Sequence, residues 1–185
     1  MSTHFKRILY GGDYNPNQWP KDIWQGDMRI FKDAHINTAT INVFSWAKIQ
    51  PSEHEYNFDE LDEIVDMLSK ENYDIVFATS TAALPGWKVR KYPEVMFTDY
   101  EGRQHKFGGR HNACPNSFVF KHYARELAYK LAERYASIVL YLSFSNEYGN
   151  ECFCENCQKA FRVWRYHIIP VVNGMSPEFH IPGPV

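Results

Sequence analysis

An amide and a carboxylic acid stand side by side at Asn146-Glu147, directly after the apolar run IVLYLSF. At the end of a strand, such an acid can keep its proton through a raised pKa and act as a general acid. The neighbouring amide can hydrogen-bond a substrate hydroxyl. The same pair also fits a plainer role, in which the carboxylate caps the next helix. A second cluster, Cys152-Phe153-Cys154-Glu155-Asn156-Cys157, sets three thiols close together. That spacing suits convergence on one ion better than disulfides within the cluster. Tetrahedral zinc takes four ligands, and Cys114 is the remaining cysteine of the chain. A site filled by four thiolates is closed, so its role would be structural. Reduced buried thiols, or a disulfide to Cys114 under oxidising conditions, are the competing readings.

Two further residues bear on chemistry. Arg110, in GGRHNACPN, precedes Cys114 by four residues. A metal-stapled loop would hold its guanidinium rigidly enough to bind substrate, whereas an ordinary surface arginine needs no such role. His111 is a weak ligand candidate when four cysteines are available. Trp46, in FSWAKIQPSEHEYNFDELD, could line a sugar pocket or fill the core. Glu53 and Glu55 are most simply turn residues and Asp59 a helix cap, while Trp19, Trp24 and Trp164 read as packing.

These residues need elements to position them, and the chain alternates strand-like and helical runs four times. Phe5–Tyr10 is the first strand-like run, ending in Gly11-Gly12-Asp13, and a helix follows from Pro20 with Ile23, Trp24, Met28 and Phe31 on one side. Asn37–Phe44 is the second strand-like run, with a helix from Asp59 carrying Leu61, Ile64, Val65 and Leu68. Tyr73–Ala78 is dense enough in apolar residues for a strand buried on both faces. The long polar stretch Thr79–Asn116 follows, and loops of that length are usually functional. Phe118–Tyr135 reads as the third helix, Ile138–Phe144 as the fourth strand and Phe153–Tyr166 as the fourth helix. This order argues for parallel βαβ units. In a (β/α)₈ TIM barrel the working residues sit where strands run into the following loops. Asp13-Tyr14-Asn15, Ser45-Trp46 and Asn146-Glu147 are placed that way. The four units make the first half of such a barrel, giving an α/β domain over residues 1–166. Residues 167–185, with four prolines and two glycines, read as a divergent tail.

Composition narrows the function classes. The 185 residues are 44% hydrophobic and 23% charged, with a formal net charge of −2. That is globular, and it lacks the basic field that nucleic acid or an anionic membrane would require. No apolar run reaches the roughly 18 residues of a membrane span, and the N-terminus lacks the apolar core of a secretory signal. The expected address is the cytoplasm, with no nucleic-acid or membrane partner. No glycine-rich phosphate loop follows any of the strands.

Taken together, the stretches YGGDYNPNQWP, INVFSWAKIQPSEHEYNFDELD, ATSTAALPGW, RHNACPNS and SNEYGNECFCENCQKAFRVW resemble the N-terminal part of the family 42 glycoside hydrolases. These are bacterial β-galactosidases with a (β/α)₈ catalytic barrel. The resemblance implies that Glu147 is the acid/base, that Asn146 and Arg110 bind the sugar, and that Cys114, Cys152, Cys154 and Cys157 hold a structural zinc ion. It further implies a retaining hydrolase of terminal β-D-galactosides, a galactoside substrate and a homo-oligomer, commonly a trimer. Retention requires a second carboxylate as nucleophile, which in this family is a glutamate on a late barrel strand. The expectation is therefore a fragment that carries the acid/base without the nucleophile and is inactive alone. The competing expectation is a truncated, non-catalytic zinc-binding remnant.

Overall fold

The computed structural model describes residues 7–108, 112–139, 141–143 and 151–172. Four parallel strands, β1 (Gly11–Asp13), β2 (Thr38–Ile41), β3 (Asp74–Ala78) and β4 (Tyr141–Ser143), lie in the order β1-β2-β3-β4. Each strand pairs with the next one in the sequence. The register sets Asp13 beside Thr40, Thr40 beside Val76, and Val76 beside Tyr141. Because side chains alternate along a strand, the same parity carries Asn42 and Ala78 one layer closer to the strand ends. The opposite parity, Ala39, Ile41, Ile75 and Phe77, belongs to the core that the helices cover.

The first strand begins later than the apolar run Phe5–Tyr10 suggests. The Asn37 side chain takes up part of the backbone there: its Oδ1 accepts from Tyr10 N–H, and its Nδ2 donates to the Ile8 carbonyl, both at 2.9 Å, while the Tyr10 carbonyl accepts from the Asn37 N–H. Arg7 is anchored across the strand starts, with Nε 2.7 Å from Asp74 Oδ2. Pairing starts at Gly11, where a Cβ would lie 1.7 Å from the Thr38 carbonyl oxygen. Only glycine permits that approach. Gly11→Ala is therefore expected to lower the denaturation midpoint clearly, whereas Gly12→Ala, which meets nothing within 4 Å, leaves β1 docked. Equal midpoints for the two variants would reject this account.

Helix α1 (Lys21–Asp33) buries Trp24 and Met28, and α3 (Asp59–Lys70) buries Leu61, Ile64, Val65 and Leu68. Both have acids in the first turn and a lysine in the last, which suits the helix dipole. Phe58, and not Asp59, occupies the cap position of α3; Asn57 Oδ1 receives the Asp59 N–H at 2.8 Å. Both helices hand over to the following strand through the same turn. His35 and Asn72 take left-handed backbone angles of 57° and 61°. Just beyond them, Ile36 N–H bonds the Phe31 carbonyl and Tyr73 N–H bonds the Leu68 carbonyl, the Schellman pattern.

The stretch expected to be a long loop is partly structured. Short helices α2 (Trp46–Ile49) and α4 (Gly86–Lys91) follow β2 and β3, and a 3₁₀ turn spans Pro93–Val95. Isolated bridges pair Met96 with Ala113 and Thr98 with Gln104. Helix α5 (Phe118–Tyr135) starts at a Ser117 cap whose Oγ accepts from Phe120 N–H, and it buries Tyr123, Leu127, Leu131 and Tyr135. Helix α6 (Glu155–Val172) runs past residue 166, where the sequence pattern changes. Two tryptophans expected to pack do not: Trp19 and Trp164 are both more than half exposed. Trp19 precedes α1, outside its apolar stripe. Trp164 stacks on Phe161 on an open face of α6. Among the described residues, no helix is long and apolar enough to cross a membrane.

Candidate functional site

The four cysteines converge. Cys114 lies between the Met96–Ala113 bridge and α5, whereas Cys152, Cys154 and Cys157 lead into and begin α6. Their sulfur atoms all lie within 4.8 Å of one another, and Cys114 Sγ is 3.4 Å from both Cys154 Sγ and Cys157 Sγ. Four sulfurs at about 2.3 Å from a tetrahedral ion would sit roughly 3.8 Å apart. The cluster therefore fits a zinc-sized ion with little rearrangement. Its donor chemistry, four soft thiols, also suits zinc.

The surroundings position these sulfurs. Cys114 is fully buried, and its N–H donates to the Val95 carbonyl at 2.8 Å. Thr98 clasps the other side: its N–H points at Cys152 Sγ (3.4 Å), and its carbonyl accepts from Phe153 N–H (2.8 Å). Asn116 Nδ2 donates toward Cys157 Sγ at 3.4 Å. Burial pushes the Cys114 and Cys152 thiols up, and their sulfur neighbours add to that for Cys114. Burial also opposes ionisation of Cys154, but the Cys157 N–H and hydrogen bonds from the other three thiols outweigh it and bring Cys154 down. The cluster thereby staples the segment after β3 to the start of α6.

At the strand ends, polar groups lock the loops together. Asn42 and Ser80 both have left-handed backbones, with φ of 67° and 58°. Asn42 Nδ2 donates to the Ala78 carbonyl (2.9 Å), Ser80 Oγ donates to the Asn42 carbonyl, and Ser45 N–H donates to Ser80 Oγ (3.2 Å). Non-glycine residues in this region are uncommon and persist where their surroundings over-determine them. Of the residues singled out for sugar chemistry, Arg110, Asn146 and Glu147 lie outside the described residues. Trp46 is a core residue, fully buried with Nε1 donating to Gln50 Oε1 at 2.9 Å.

Glu53 proves to be more than a turn residue. Its carboxylate accepts from Lys91 and from the Tyr123 and Tyr92 hydroxyls, which together hold it down to about 2. Next to it lies a group that the sequence pattern concealed, a fully buried lysine. Lys88 Nζ sits 3.7 Å from the Trp46 ring centre, 4.1 Å from that of Tyr123 and 4.9 Å from that of Trp87. Its hydrogen-bond acceptor is Gln50 Oε1 at 3.3 Å. Burial lowers Lys88 to about 6, against the opposing pull of Glu126 and Glu53. In the sequence it stands in the long polar stretch Thr79–Asn116, with Arg90 and Lys91 close by.

The family comparison decides the wider reading. Residues 13–174 match the glycoside hydrolase 42 family, described as beta-galactosidase. The chain belongs to this family. A beta-galactosidase of Planococcus sp. (strain 'SOS Orange') is 53% identical over 167 residues, covering 89% of this chain and 25% of its own length. One from Lactobacillus acidophilus is 49% identical over 182 residues, covering 97% of this chain and 27% of its own length. The crystal structure of a beta-galactosidase from Bacillus circulans sp. alkalophilus superposes with a TM-score of 0.83 at 53% identity, over 92% of this chain and 26% of that one. The chain thus spans about a quarter of the length of the family 42 relatives it matches. Its fold is the first four βα units of their (β/α)₈ barrel.

Proposed function

We propose that this chain supplies the N-terminal half of the catalytic barrel of a retaining β-galactosidase. The observation that carries the reading is the family match over residues 13–174, on a sheet whose strands follow one another in barrel order. In this reading Glu147 protonates the glycosidic oxygen and later activates water. Asn146 and Arg110 hold sugar hydroxyls beside it. The nucleophilic carboxylate that retention requires comes from the other half of the barrel. Residues 1–166 form the barrel portion and 167–185 a divergent tail, and the complete enzyme is a soluble homo-oligomer acting on terminal galactosides in the cytoplasm.

We further propose that Cys114, Cys152, Cys154 and Cys157 hold a structural zinc ion. A four-thiolate site has no open position for substrate. Its service is to fix the loops after β3 and β4, which carry Arg110 and Glu147, relative to each other.

The test is Glu147→Gln in the complete enzyme. Hydrolysis of a galactoside with a poor leaving group is expected to fall by about 10²–10⁴-fold. A p-nitrophenyl galactoside, whose leaving group needs little protonation, loses less in the first step. Unchanged rates on both substrates would remove Glu147 from the mechanism. Zinc uptake near one ion per chain, with no hydrolysis from the complete polypeptide, would instead favour a zinc-binding remnant.

A further inference from the structure

The four-thiol cluster has a polar surround that reaches beyond the sulfurs. A zinc ion held by four thiolates carries a net charge of −2, because binding releases the four thiol protons to solvent. In a partly buried site that excess charge needs donors and cations close by. N–H groups from outside the cysteine segment point at the sulfurs: the Thr98 backbone N–H at Cys152, the Asn116 backbone N–H at Cys114 and the Asn116 side chain at Cys157. The last of these is the side-chain donor. Its other end is also engaged: Lys121 Nζ, from the first turn of α5, donates to Asn116 Oδ1 at 3.1 Å. The amide thus lies between an ammonium and a sulfur, polarised so that its N–H bonds are stronger donors.

We infer that Asn116, backed by Lys121, is a positioning residue of the metal centre, holding the Cys157 sulfur in place and compensating its charge. This rests on the zinc reading above. It assigns to a residue outside the ligand set a share of the affinity that metal sites draw from the groups around their ligands. The arrangement also explains the use of an amide. A carboxylate at position 116 could still pair with Lys121 but would have nothing to donate to sulfur.

The test uses the whole 185-residue chain, with zinc affinity measured by competition against a chromophoric chelator. Cobalt(II) spectra report the thiolate ligands directly. Asn116→Ala is expected to weaken zinc binding by roughly 10- to 100-fold and to shift the cobalt–thiolate bands. Asn116→Asp, nearly the same shape, should weaken it at least as much with the helical content unchanged by circular dichroism, which separates lost donation from lost folding. Lys121→Met should weaken binding several-fold, and only when Asn116 is present. Wild-type affinity in Asn116→Ala, or an equal Lys121→Met effect in both backgrounds, would overturn the relay. Failure of the unaltered chain to take up zinc or cobalt would remove the metal reading, and this inference with it.

Discussion

Lys88→Met is expected to stabilise the chain by on the order of 3–5 kcal/mol at pH 7. The lysine is enclosed by Trp46, Trp87 and Tyr123, and burial holds it near 6 where an unfolded chain would hold it at 10.5. Between those values the unfolded state binds a proton that the folded state does not. Folding stability therefore rises with pH through this window, by about 1.4 kcal/mol per unit. Below it, both states are protonated and this slope vanishes. Cation–π attraction to the ring faces acts on the protonated form alone, so it opposes the downward shift and trims the expected gain. Methionine matches the length of the lysine stem, enjoys the same rings and carries no charge. Gln50 Oε1 keeps the Trp46 indole as its donor, so the substitution leaves no buried acceptor unpaired. Urea titrations at pH 7 and pH 10 check the claim. The gap between wild type and variant should be wide at pH 7 and nearly closed at pH 10. Parallel pH curves, or a less stable variant, would show that the box prefers its ammonium.

The second large effect concerns the thiol cluster. On the zinc reading proposed above, stripping the ion with a strong chelator, or replacing Cys114 by serine, is expected to cost upwards of about 5 kcal/mol, a fraction of what structural zinc contributes to small folds. Cys114 is the fully buried member and approaches both Cys154 and Cys157. Its loss releases the tie between the segment after β3 and α6. Hydrogen exchange should locate the damage. Protection should fall at Phe97, Cys114 and Phe153, whose N–H groups bond across this region, while β2 and β3 keep theirs. Indifference of both stability and exchange to chelator would mean that the cysteines pack as thiols.

Much of this architecture was legible in the residues, for identifiable reasons. Helix α5 has the bounds expected from its apolar stripe because Ser117 caps it directly. The cysteine cluster was readable because close spacing is a local property, and Cys114 was the one cysteine left to join it. The start of β1 was misplaced because the Asn37 amide competes for the backbone of Ile8 and Tyr10, a tertiary effect with no local signature. Lys88 went unnoticed for a similar reason. Nothing local in GWKVRK sets Lys88 apart from Arg90 and Lys91, and Trp46 and Tyr123 arrive from distant segments to enclose it. Glu53 likewise owes its role to Lys91, Tyr92 and Tyr123, all far along the chain. The sugar-binding candidates Arg110 and Asn146 and the acid/base candidate Glu147 rest on motif and family, since they fall outside the described residues.

The strand order has a consequence for how the chain assembles during synthesis. Every strand pairs with the one made just before it, so each new segment emerging from a ribosome finds its template already present. The first two pairings close short intervals, Gly11 with Thr38 and Thr38 with Asp74, each sealed by the same left-handed turn. The third joins Val76 to Tyr141 across a much longer interval, and closing it carries the larger entropy cost. The cysteines lie on either side of the end of that interval, Cys114 within it and the other three just past it. A metal ion captured there would act as a latch on the slowest step of nascent-chain folding.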